Sequence, residues 1–513
     1  MTIQDWTSGY VADIGYTYGY YTELNPLRVK LAFLNNGLVF PEFGTACELG
    51  FGQGVSVNIH AAASMTEWYG TDFNPAQAGF AQELAAVSGS KAKLYDDSFA
   101  DFTQRKDLPD FDYIGLHGIL SWISDENRSV IVEFLSKKLK AGGVLYISYN
   151  TMPGWAAFAP IRHLMTGHAD VIGADGHGIV KRIDGAIEFA EKLLATNPIY
   201  AKVNPIIKDR VAKLKDQNRH YQAHEYFNQD WHPMHIADMA EWLKPAKLDY
   251  ACSANYLDHI NAINVTAEQQ SFLNDIPDAM FRQSVRDFMV NQQFRKDYWV
   301  KGARKLSALE NAEALRQQKV ILVNNRQNVS LKIIGALGEA IMSETINNPI
   351  LDILADHKPK TIAQLEQSVA EQGINFGQLT QAIMVLSGAG HLEAVQDDAV
   401  IGKSKKHTDK LNSYIISKAR NSSDISYLAS PVIAGGIRVS RFQQLFLLAI
   451  SYGKKKPEEM GEIAWSVLVA QGQKIIKDGT MMENPEENLA ELSAQAKVFF
   501  EKHLPIMKAL QIV

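Results

Sequence analysis

The chain has 513 residues, of which 46% are hydrophobic, 21% charged and 10% aromatic, the composition of an ordinary globular protein. Lysine and arginine total 51 against 57 aspartates and glutamates, and a net charge of −6 argues against a nucleic-acid or anionic-lipid binder. Two cysteines exclude a disulfide framework and suit a reducing compartment. The N-terminus lacks an apolar leader and no run of about 18 apolar residues occurs, so the sequence predicts a cytoplasmic protein without membrane insertion.

The first 150 residues alternate short apolar runs with amphipathic segments. Residues 55–63 and 74–87 have the periodicity of helices. The apolar runs are predicted to be buried strands at 46–49, 68–71, 91–95, 111–116 and 144–149. Alternating strands and helices predict a parallel sheet covered on both faces.

The remaining sequence is mostly helical, with one return to the sheet. A helix over 234–243 and apolar segments at 248–256 and 298–300 are predicted to supply the last strands. The pattern divides the chain into a core at 1–155, a helical cap at 156–230, the returning strands at 231–305, a middle domain at 306–400 and a helical C-terminal domain at 401–513.

The middle domain has the pattern of a winged-helix module. Thr361 and Asn375 are each followed three residues later by glutamine, the spacing of a capping box that starts a helix. A strand is predicted at 391–395, so two helices precede one strand. Residues 375–387 contain no lysine or arginine, which favours an interaction or packing role over nucleic-acid binding.

A strand that runs into closely spaced glycines is the most informative segment. Gly50, Gly52 and Gly54 allow a tight turn and the close approach of a ligand to the backbone. Asp72 ends the next predicted strand, where a carboxylate can accept hydrogen bonds from both hydroxyls of a ribose. The glycine spacing departs from the dinucleotide pattern, so a nicotinamide cofactor is disfavoured. A tight turn without a ligand is the alternative.

These residues resemble a known family. Residues 48–54, Glu-Leu-Gly-Phe-Gly-Gln-Gly, resemble the first motif of class I S-adenosylmethionine-dependent methyltransferases. Further segments resemble that family's later motifs and one bacterial branch with a methyltransferase regulatory region: 68–75, 96–99, 111–122, 144–155, 224–228, 235–240, 430–436 and 503–506. The branch includes protein lysine methyltransferases that modify outer-membrane proteins. The resemblance implies an α/β Rossmann-like seven-stranded methyltransferase sheet, an inserted helical cap and a mainly helical C-terminal region.

The resemblance also implies S-adenosylmethionine as cofactor and assigns residues to it. Asp72 would hold the ribose hydroxyls, Phe73 would pack on the adenine and Asp97 would accept from the adenine amino group. His117 is expected to contact the methionine part or the acceptor, or to have only a structural hydrogen bond. Phe51 departs from the family pattern and would narrow the pocket. The full predicted cofactor site is Tyr18, Glu48, Gly50, Gly52, Gly54, Asp72, Phe73, Asp97, Ser98 and His117.

The acceptor site is predicted to be aromatic. Tyr10, Tyr16, Tyr18, Tyr20 and Tyr21 precede the first strand, where they suit either a lid over an incoming ammonium or a packing stripe. By resemblance, residues at the ends of the fourth and fifth strands lie nearest the acceptor. The predicted catalytic residues are Tyr20, Trp122, Tyr149 and Asn150. The alternative acceptor site lies under the helical cap around residues 220–235.

Three functions remain open from the sequence. The first is methylation of a protein side chain, favoured because the cap and the C-terminal part offer more surface than a small acceptor needs. The second is a methyltransferase for a small molecule or saccharide, with a C-terminal part that forms a homodimer. The third is a cofactor-binding regulator, which the complete glycine and aspartate set disfavours. His220, His224, His232 and His235 lack a typical metal-site pattern, so no metal is predicted.

Overall fold

A seven-stranded sheet organises the first 301 residues of the protein. The computed structural model describes residues 14–173, 176 and 178–513. The strands are β1 (Thr45–Leu49), β2 (Glu67–Thr71), β3 (Lys93–Tyr95), β4 (Phe111–His117), β5 (Leu139–Asn150), β6 (Leu248–Ser253) and β7 (Phe294–Lys301). Their order in the sheet is β3-β2-β1-β4-β5-β7-β6. Strands β1 to β5 are parallel and β7 is antiparallel to both its neighbours. The predicted seven-stranded α/β fold is confirmed.

Both faces of this sheet are buried, which explains the continuous apolar runs in the sequence. Trp68, Tyr113 and Tyr146 belong to one hydrophobic cluster. Their chain neighbours Tyr69 and Ile114 belong to another. Because successive strand residues point to opposite faces, each face has its own core. The helices of this part are α1 (Pro26–Asn35), α2 (Val55–Ala63), α3 (Pro75–Ser88), α4 (Phe99–Gln104) and α5 (Asp125–Lys138).

A helical insertion separates β5 from β6. The first of its helices form the predicted cap: α6 (Ala159–Val171), α7 (Gly178–Ala195), α8 (Ile199–Val203), α9 (Ile206–Leu214) and α10 (Arg219–Tyr226). The cap has its own core around Trp155, Phe158 and Ile187. The chain then returns to the sheet through α11 (Ile236–Leu243), and three helices lie between the last two strands: α12 (Asn261–Asn264), α13 (Ala267–Asn274) and α14 (Ala279–Met289).

The strands of the middle region are arranged differently from those of a winged-helix module. Its elements are α15 (Ala308–Gln317), β8 (Lys319–Leu322), β9 (Lys332–Gly335), β10 (Gly338–Ile341), α16 (Glu344–Ile353), β11 (Lys360–Thr361), α17 (Ile362–Val369), α18 (Phe376–Gly388) and β12 (Leu392–Ala394). Both predicted capping boxes are present, at Thr361 and Asn375. The sheet order is β11-β8-β12, so β12 pairs with β8, a strand that precedes both helices α17 and α18 in the chain. The chain enters a long helix after β12, and therefore no wing hairpin follows α18.

The C-terminal region packs on helices of the core that contains the seven-stranded sheet. Its elements are α19 (Asp398–Lys418), β13 (Tyr427–Ser430), β14 (Gly435–Arg438), α20 (Arg441–Ser451), α21 (Pro457–Ala470), β15 (Ile476–Lys477), β16 (Thr480–Met481), α22 (Pro485–Val498) and α23 (Leu504–Ala509). Its hydrophobic cluster includes Val55, Ile59 and Leu84 of α2 and α3. Among the described residues, no helix has the length and apolar character needed to cross a membrane.

Candidate functional site

The loop after β1 is shaped by its glycines. Gly50, Gly52 and Gly54 all have left-handed backbone angles, with φ of 69°, 56° and 69°. A methyl group at Gly50 would lie 2.4 Å from Cδ1 of Ile119, and one at Gly54 would lie 2.4 Å from Cβ of Ala81. The turn therefore requires residues without a side chain. Gly54 packs against α3, whereas Gly50 and Gly52 border an open pocket.

This pocket lies at the carboxyl ends of β1 to β4. The predicted cofactor residues that line it are Glu48, Gly50, Gly52, Asp72, Phe73, Asp97, Ser98 and His117. Gly54 and Tyr18 lie outside the lining. Phe51 also reaches the pocket, but it is only 6% exposed and contacts Gly70, so most of its ring belongs to the core. The structure thus brings loops from four strands to one place, as expected for an open parallel sheet.

Two buried carboxyl groups lie beneath the pocket. Asp72 accepts hydrogen bonds from the backbone N–H of Gly52 (2.8 Å, Oδ2) and of Asn74 (3.1 Å, Oδ1). Burial raises the pKa of Asp72 to about 7 in spite of these donors. Burial, together with the charge of Asp72, raises the pKa of Glu48 to about 8. Oε2 of Glu48 is buried and has no hydrogen-bond partner among the described residues. Such an acceptor calls for a donor from a ligand.

The loop after β3 supplies Asp97 and Ser98. Oδ2 of Asp97 lies 3.0 Å from Nη1 of Arg105, whose guanidinium stacks 3.8 Å above the ring of Tyr95. Oγ of Ser98 accepts from the backbone N–H of Asp101 at 3.2 Å and so caps α4. Asp97 is therefore held by an ion pair at the pocket edge, and the Ser98 hydroxyl already has a structural partner.

His117 lies at the pocket and has a structural hydrogen bond, and its contact with the methionine part or the acceptor stays a prediction. It lines the pocket, and Nδ1 shares a 2.8 Å hydrogen bond with the hydroxyl of Tyr146. The ring of Tyr21 stacks on it with centroids 3.6 Å apart and 19° between the planes. Burial lowers the pKa of His117 to about 3, so the ring is neutral at physiological pH.

Of the four predicted catalytic residues, Trp122 lines the pocket, whereas Tyr20, Tyr149 and Asn150 lie outside its lining. Tyr149 is fully buried in a core cluster on one face of the sheet, and its hydroxyl donates to Oδ2 of Asp297 at 2.9 Å. Asn150 is 2% exposed, and its backbone N–H donates to Oγ of Ser121 at 2.9 Å. β7 and the loop after β4 cover the last residues of β5, and neither Tyr149 nor Asn150 lines the pocket.

The tyrosine-rich segment divides between the pocket and the C-terminal region. We call residues 14–24 the strap. Tyr16 and Tyr21 line the pocket. The hydroxyl of Tyr20 instead accepts from the backbone N–H of Gly436 at 2.8 Å, and the Tyr18 ring meets Phe80 edge-on at 5.3 Å. The prediction of Tyr20 and Tyr18 as ligand contacts therefore does not match their positions, and Tyr10 lies outside the described residues.

The cap supplies pocket residues from the segment 220–235, which the sequence indicated only as an alternative acceptor site. His224 and Glu225 of α10 and Asp230 beyond it line the side opposite the glycines. Residues 224–228 were also recognisable as part of a regulatory signature. Burial raises the pKa of Glu225 to about 7. Gln77 and Asn127 also reach the pocket, and no sequence pattern marked them.

The histidines of the cap hold the strap. Nε2 of His224 lies 3.0 Å from the carbonyl of Ile14, and Nδ1 of His220 lies 2.9 Å from the carbonyl of Gly15. The ring of Tyr16 also meets His224 edge-on at 5.0 Å. Within the described ranges, no group of three or more histidine, cysteine, aspartate or glutamate side chains is arranged to hold a metal ion.

The strand order and the glycine turn define the class I S-adenosylmethionine-dependent methyltransferase fold. Residues 218–301 match the family described as "Predicted methyltransferase regulatory domain". The structure of PKMT2 from Rickettsia typhi in complex with AdoHcy is similar, with 17% identity, a TM-score of 0.66 and coverage of 94% of this chain and 98% of that one. A second structure of PKMT2 has a TM-score of 0.67 and coverage of 96% and 99%. These likenesses show the fold.

Relatives in sequence extend over the whole chain. An uncharacterized protein of Synechocystis sp., sll1526, is 38% identical over 99% of both chains. An uncharacterized protein of Rickettsia prowazekii, RP789, is 25% identical over 59% of this chain and 54% of its own length. The chain belongs to the family of the Synechocystis protein. Its fold is that of class I S-adenosylmethionine-dependent methyltransferases, and its residues 218–301 match the regulatory domain.

Proposed function

We propose that the protein transfers a methyl group from S-adenosylmethionine to the side-chain amine of a lysine in a protein acceptor. The carboxyl-rich lining of the pocket is the observation that carries this proposal. Its described lining includes the carboxyl groups of Glu48, Asp72, Asp97, Glu225 and Asp230 and no lysine or arginine. A sulfonium cofactor and a lysine ammonium are both cations, and such a lining favours both. The name PKMT2 suggests a protein lysine methyltransferase and points the same way.

The residues present fit the cofactor. The unpartnered Oε2 of Glu48 is a buried acceptor for the cofactor's amino group. Each oxygen of Asp72 keeps a lone pair for a ribose hydroxyl, since each accepts one backbone hydrogen bond. Asp97 and Phe73 border the same pocket and suit the adenine. When bound, S-adenosylmethionine supplies a methyl group on a positively charged sulfur that leaves as a neutral thioether.

The cap side of the pocket suits the acceptor. Trp122 and Tyr16 offer aromatic faces to the alkyl stem and the ammonium of a lysine. A lysine ammonium must lose a proton before its nitrogen lone pair can form the new N–C bond. We assign this proton to the Glu225 carboxylate, because its pKa of about 7 matches proton exchange near neutral pH.

Label transfer tests the proposal. The protein is incubated with methyl-labelled S-adenosylmethionine and a cell lysate, and protein-bound label is separated from small-molecule label. We expect label in protein and, after hydrolysis, in methylated lysine. AdoHcy should bind one molecule per chain and raise the melting temperature, because a ligand that binds only the folded state stabilises it.

A matched pair of variants tests the role of Glu225. Glu225→Gln should lower label transfer at least tenfold while AdoHcy affinity, measured by calorimetry, stays within about threefold, since general-base catalysis contributes roughly 10²–10⁴-fold. Glu188→Gln is the control, because Glu188 lies exposed on α7 of the same cap. If label were found only in small molecules, the methyl acceptor would be a small molecule and not a protein. If AdoHcy bound but no label were transferred, the protein would be a cofactor-binding regulator.

A further inference from the structure

Tyr21 lies between two cavities. It lines the cofactor pocket, and it also lines a second cavity on the other side of the strap. Walls of this second cavity come from β7 of the core, from the middle region and from the C-terminal region, for example at Lys296, Asn324 and Arg438. Residues of the C-terminal half of the chain therefore share a cavity with Tyr21, which also borders the cofactor pocket.

Contacts on three sides fix Tyr21 in this position. Its ring stacks on His117 at the end of β4, and its backbone N–H donates to Oγ of Ser56 at 3.0 Å. The neighbouring Tyr20 is bound by the backbone of Gly436, and a side chain at Gly435 would approach the Tyr20 hydroxyl to 2.7 Å. The β13–β14 turn thus sets the position of the wall between the two cavities.

The two cavities differ in charge. The cofactor pocket is strongly acidic, whereas the charged lining of the second cavity balances, with Glu23 and Glu393 against Lys296 and Arg438. Glu23 is paired with Lys296 at 2.6 Å, and Glu393 is paired with Arg28 at 3.1 Å. A cavity lining whose positive and negative side chains balance has little electrostatic attraction for a small ion.

The remaining lining of the second cavity suits a polypeptide. Amide side chains at Asn324, Asn325 and Gln443 can pair with main-chain groups. The rings of Tyr20 and Tyr427, which pack on each other with centroids 5.1 Å apart, add apolar surface. The lining of the second cavity has equal numbers of carboxyl and cationic side chains, so a lysine presented from such a segment would find an excess of carboxyl groups only on the far side of Tyr21. The charge difference therefore draws the ammonium inward.

We infer that the second cavity holds the lysine-bearing polypeptide segment of the acceptor and that the lysine side chain reaches the cofactor pocket past Tyr21. This inference rests on the proposed function and adds the route of the acceptor. It also gives the middle and C-terminal regions a purpose, which is to form the acceptor-binding cavity and to hold the strap that bounds it.

Filling the second cavity from its exposed rim tests the inference. Asn328 is an exposed lining residue of the middle region, and Arg438 is an exposed lining residue of β14. Asn328→Trp should lower label transfer from S-adenosylmethionine to lysate protein at least tenfold, while calorimetric AdoHcy affinity stays within about twofold. Arg438→Trp should act in the same way from another wall. Asn421→Trp is the control, since Asn421 is exposed in the C-terminal region and lies outside the lining.

The outcomes separate the inference from the proposed function. Label transfer that falls in both cavity variants but not in the control supports the route. Equal protein labelling in the cavity variants and the control overturns the route and leaves lysine methylation standing. Absence of protein label with the unmodified chain, despite AdoHcy binding, overturns the proposed function and the polypeptide route together. A loss of AdoHcy affinity equal to the loss of labelling would mean that the cavity serves the cofactor instead.

Discussion

The two sides of the cofactor pocket are built in different ways. The floor consists of the loops after β1 to β4 and comes from residues 48–124. The roof consists of the strap and cap residues 224–230, which approach each other from distant parts of the chain. Backbone conformation dominates the floor, where three left-handed glycines form the turn after β1. Side-chain contacts dominate the roof, so it depends on the packing of other regions.

This difference separates the two sides in function as well. A floor of fixed backbone suits a ligand that never changes, the shared cofactor. A roof assembled from separate segments has residues that can change without disturbing the sheet. Substitutions in the floor should therefore affect folding and cofactor binding, and those in the roof should affect transfer.

The largest effect is expected at the backbone of the floor. Gly54→Ala should lower the free energy of unfolding by about 2–4 kcal/mol, because the left-handed backbone costs about 1–2 kcal/mol and the methyl group overlaps Ala81. Urea denaturation measures this change in the free energy of unfolding. Gly79→Ala is the control, since Gly79 is exposed within α3 with open space around it and should stabilise by about 0.5–1 kcal/mol. Equal stability of both variants would contradict a floor fixed by its backbone.

Removal of the floor carboxylate should weaken cofactor binding. Asp72→Ala should weaken AdoHcy binding by on the order of 10–100-fold, since a hydrogen bond to a charged group contributes about 1.5–3 kcal/mol. Calorimetry with Asp96→Ala as control checks this, because Asp96 is exposed and lies outside the pocket lining. Unchanged affinity in Asp72→Ala would place the ribose elsewhere.

The sequence predicted the floor well because its residues follow one another locally. Gly50, Gly52 and Gly54 mark a strand-turn-helix, and Asp72 ends the adjacent parallel strand, so spacing alone places them together. Glu225 was missed because it comes from a cap more than 100 residues further on. Tyr149 was assigned to the pocket by its position at a strand end, yet its side chain faces a core and Asp297.

The acidic pocket should make cofactor binding depend on pH. With pKa values of about 8 for Glu48 and about 7 for Asp72, both carboxyl groups must lose protons to accept from the cofactor. AdoHcy affinity should fall about tenfold from pH 8 to pH 7. The unliganded protein should lose stability as pH rises from about 4 to 8, because at these sites the folded state binds more protons than the unfolded state.

Calorimetry and thermal unfolding across this pH range check both trends. Glu48→Gln should flatten the affinity profile, because the amide cannot titrate. An affinity that does not vary between pH 7 and pH 8 in the unmodified chain would show that these carboxyl groups are already ionised without ligand.

The smallest effect is expected for a substitution of Tyr149, because this residue lies outside the pocket lining. Tyr149→Phe removes one hydrogen bond to Asp297, which Arg295 continues to pair, so the stability should fall by about 1 kcal/mol. AdoHcy affinity and label transfer should match those of the unmodified chain. A selective loss of transfer in this variant would return Tyr149 to the acceptor site.

The strap has a consequence for the order of events during synthesis. The side-chain amide of Asn25, next to the strap, donates to the carbonyl of Ile433, a contact that spans 408 residues. The hydroxyl of Tyr20 likewise cannot accept its hydrogen bond from the backbone N–H of Gly436 until that residue has been synthesised. At roughly 5–20 residues per second, the first residues leave the ribosome on the order of 20–80 seconds before their partners. During that time the sheet can form, but its roof cannot close. The roof of the pocket therefore stays incomplete until residues 433–436 have left the ribosome.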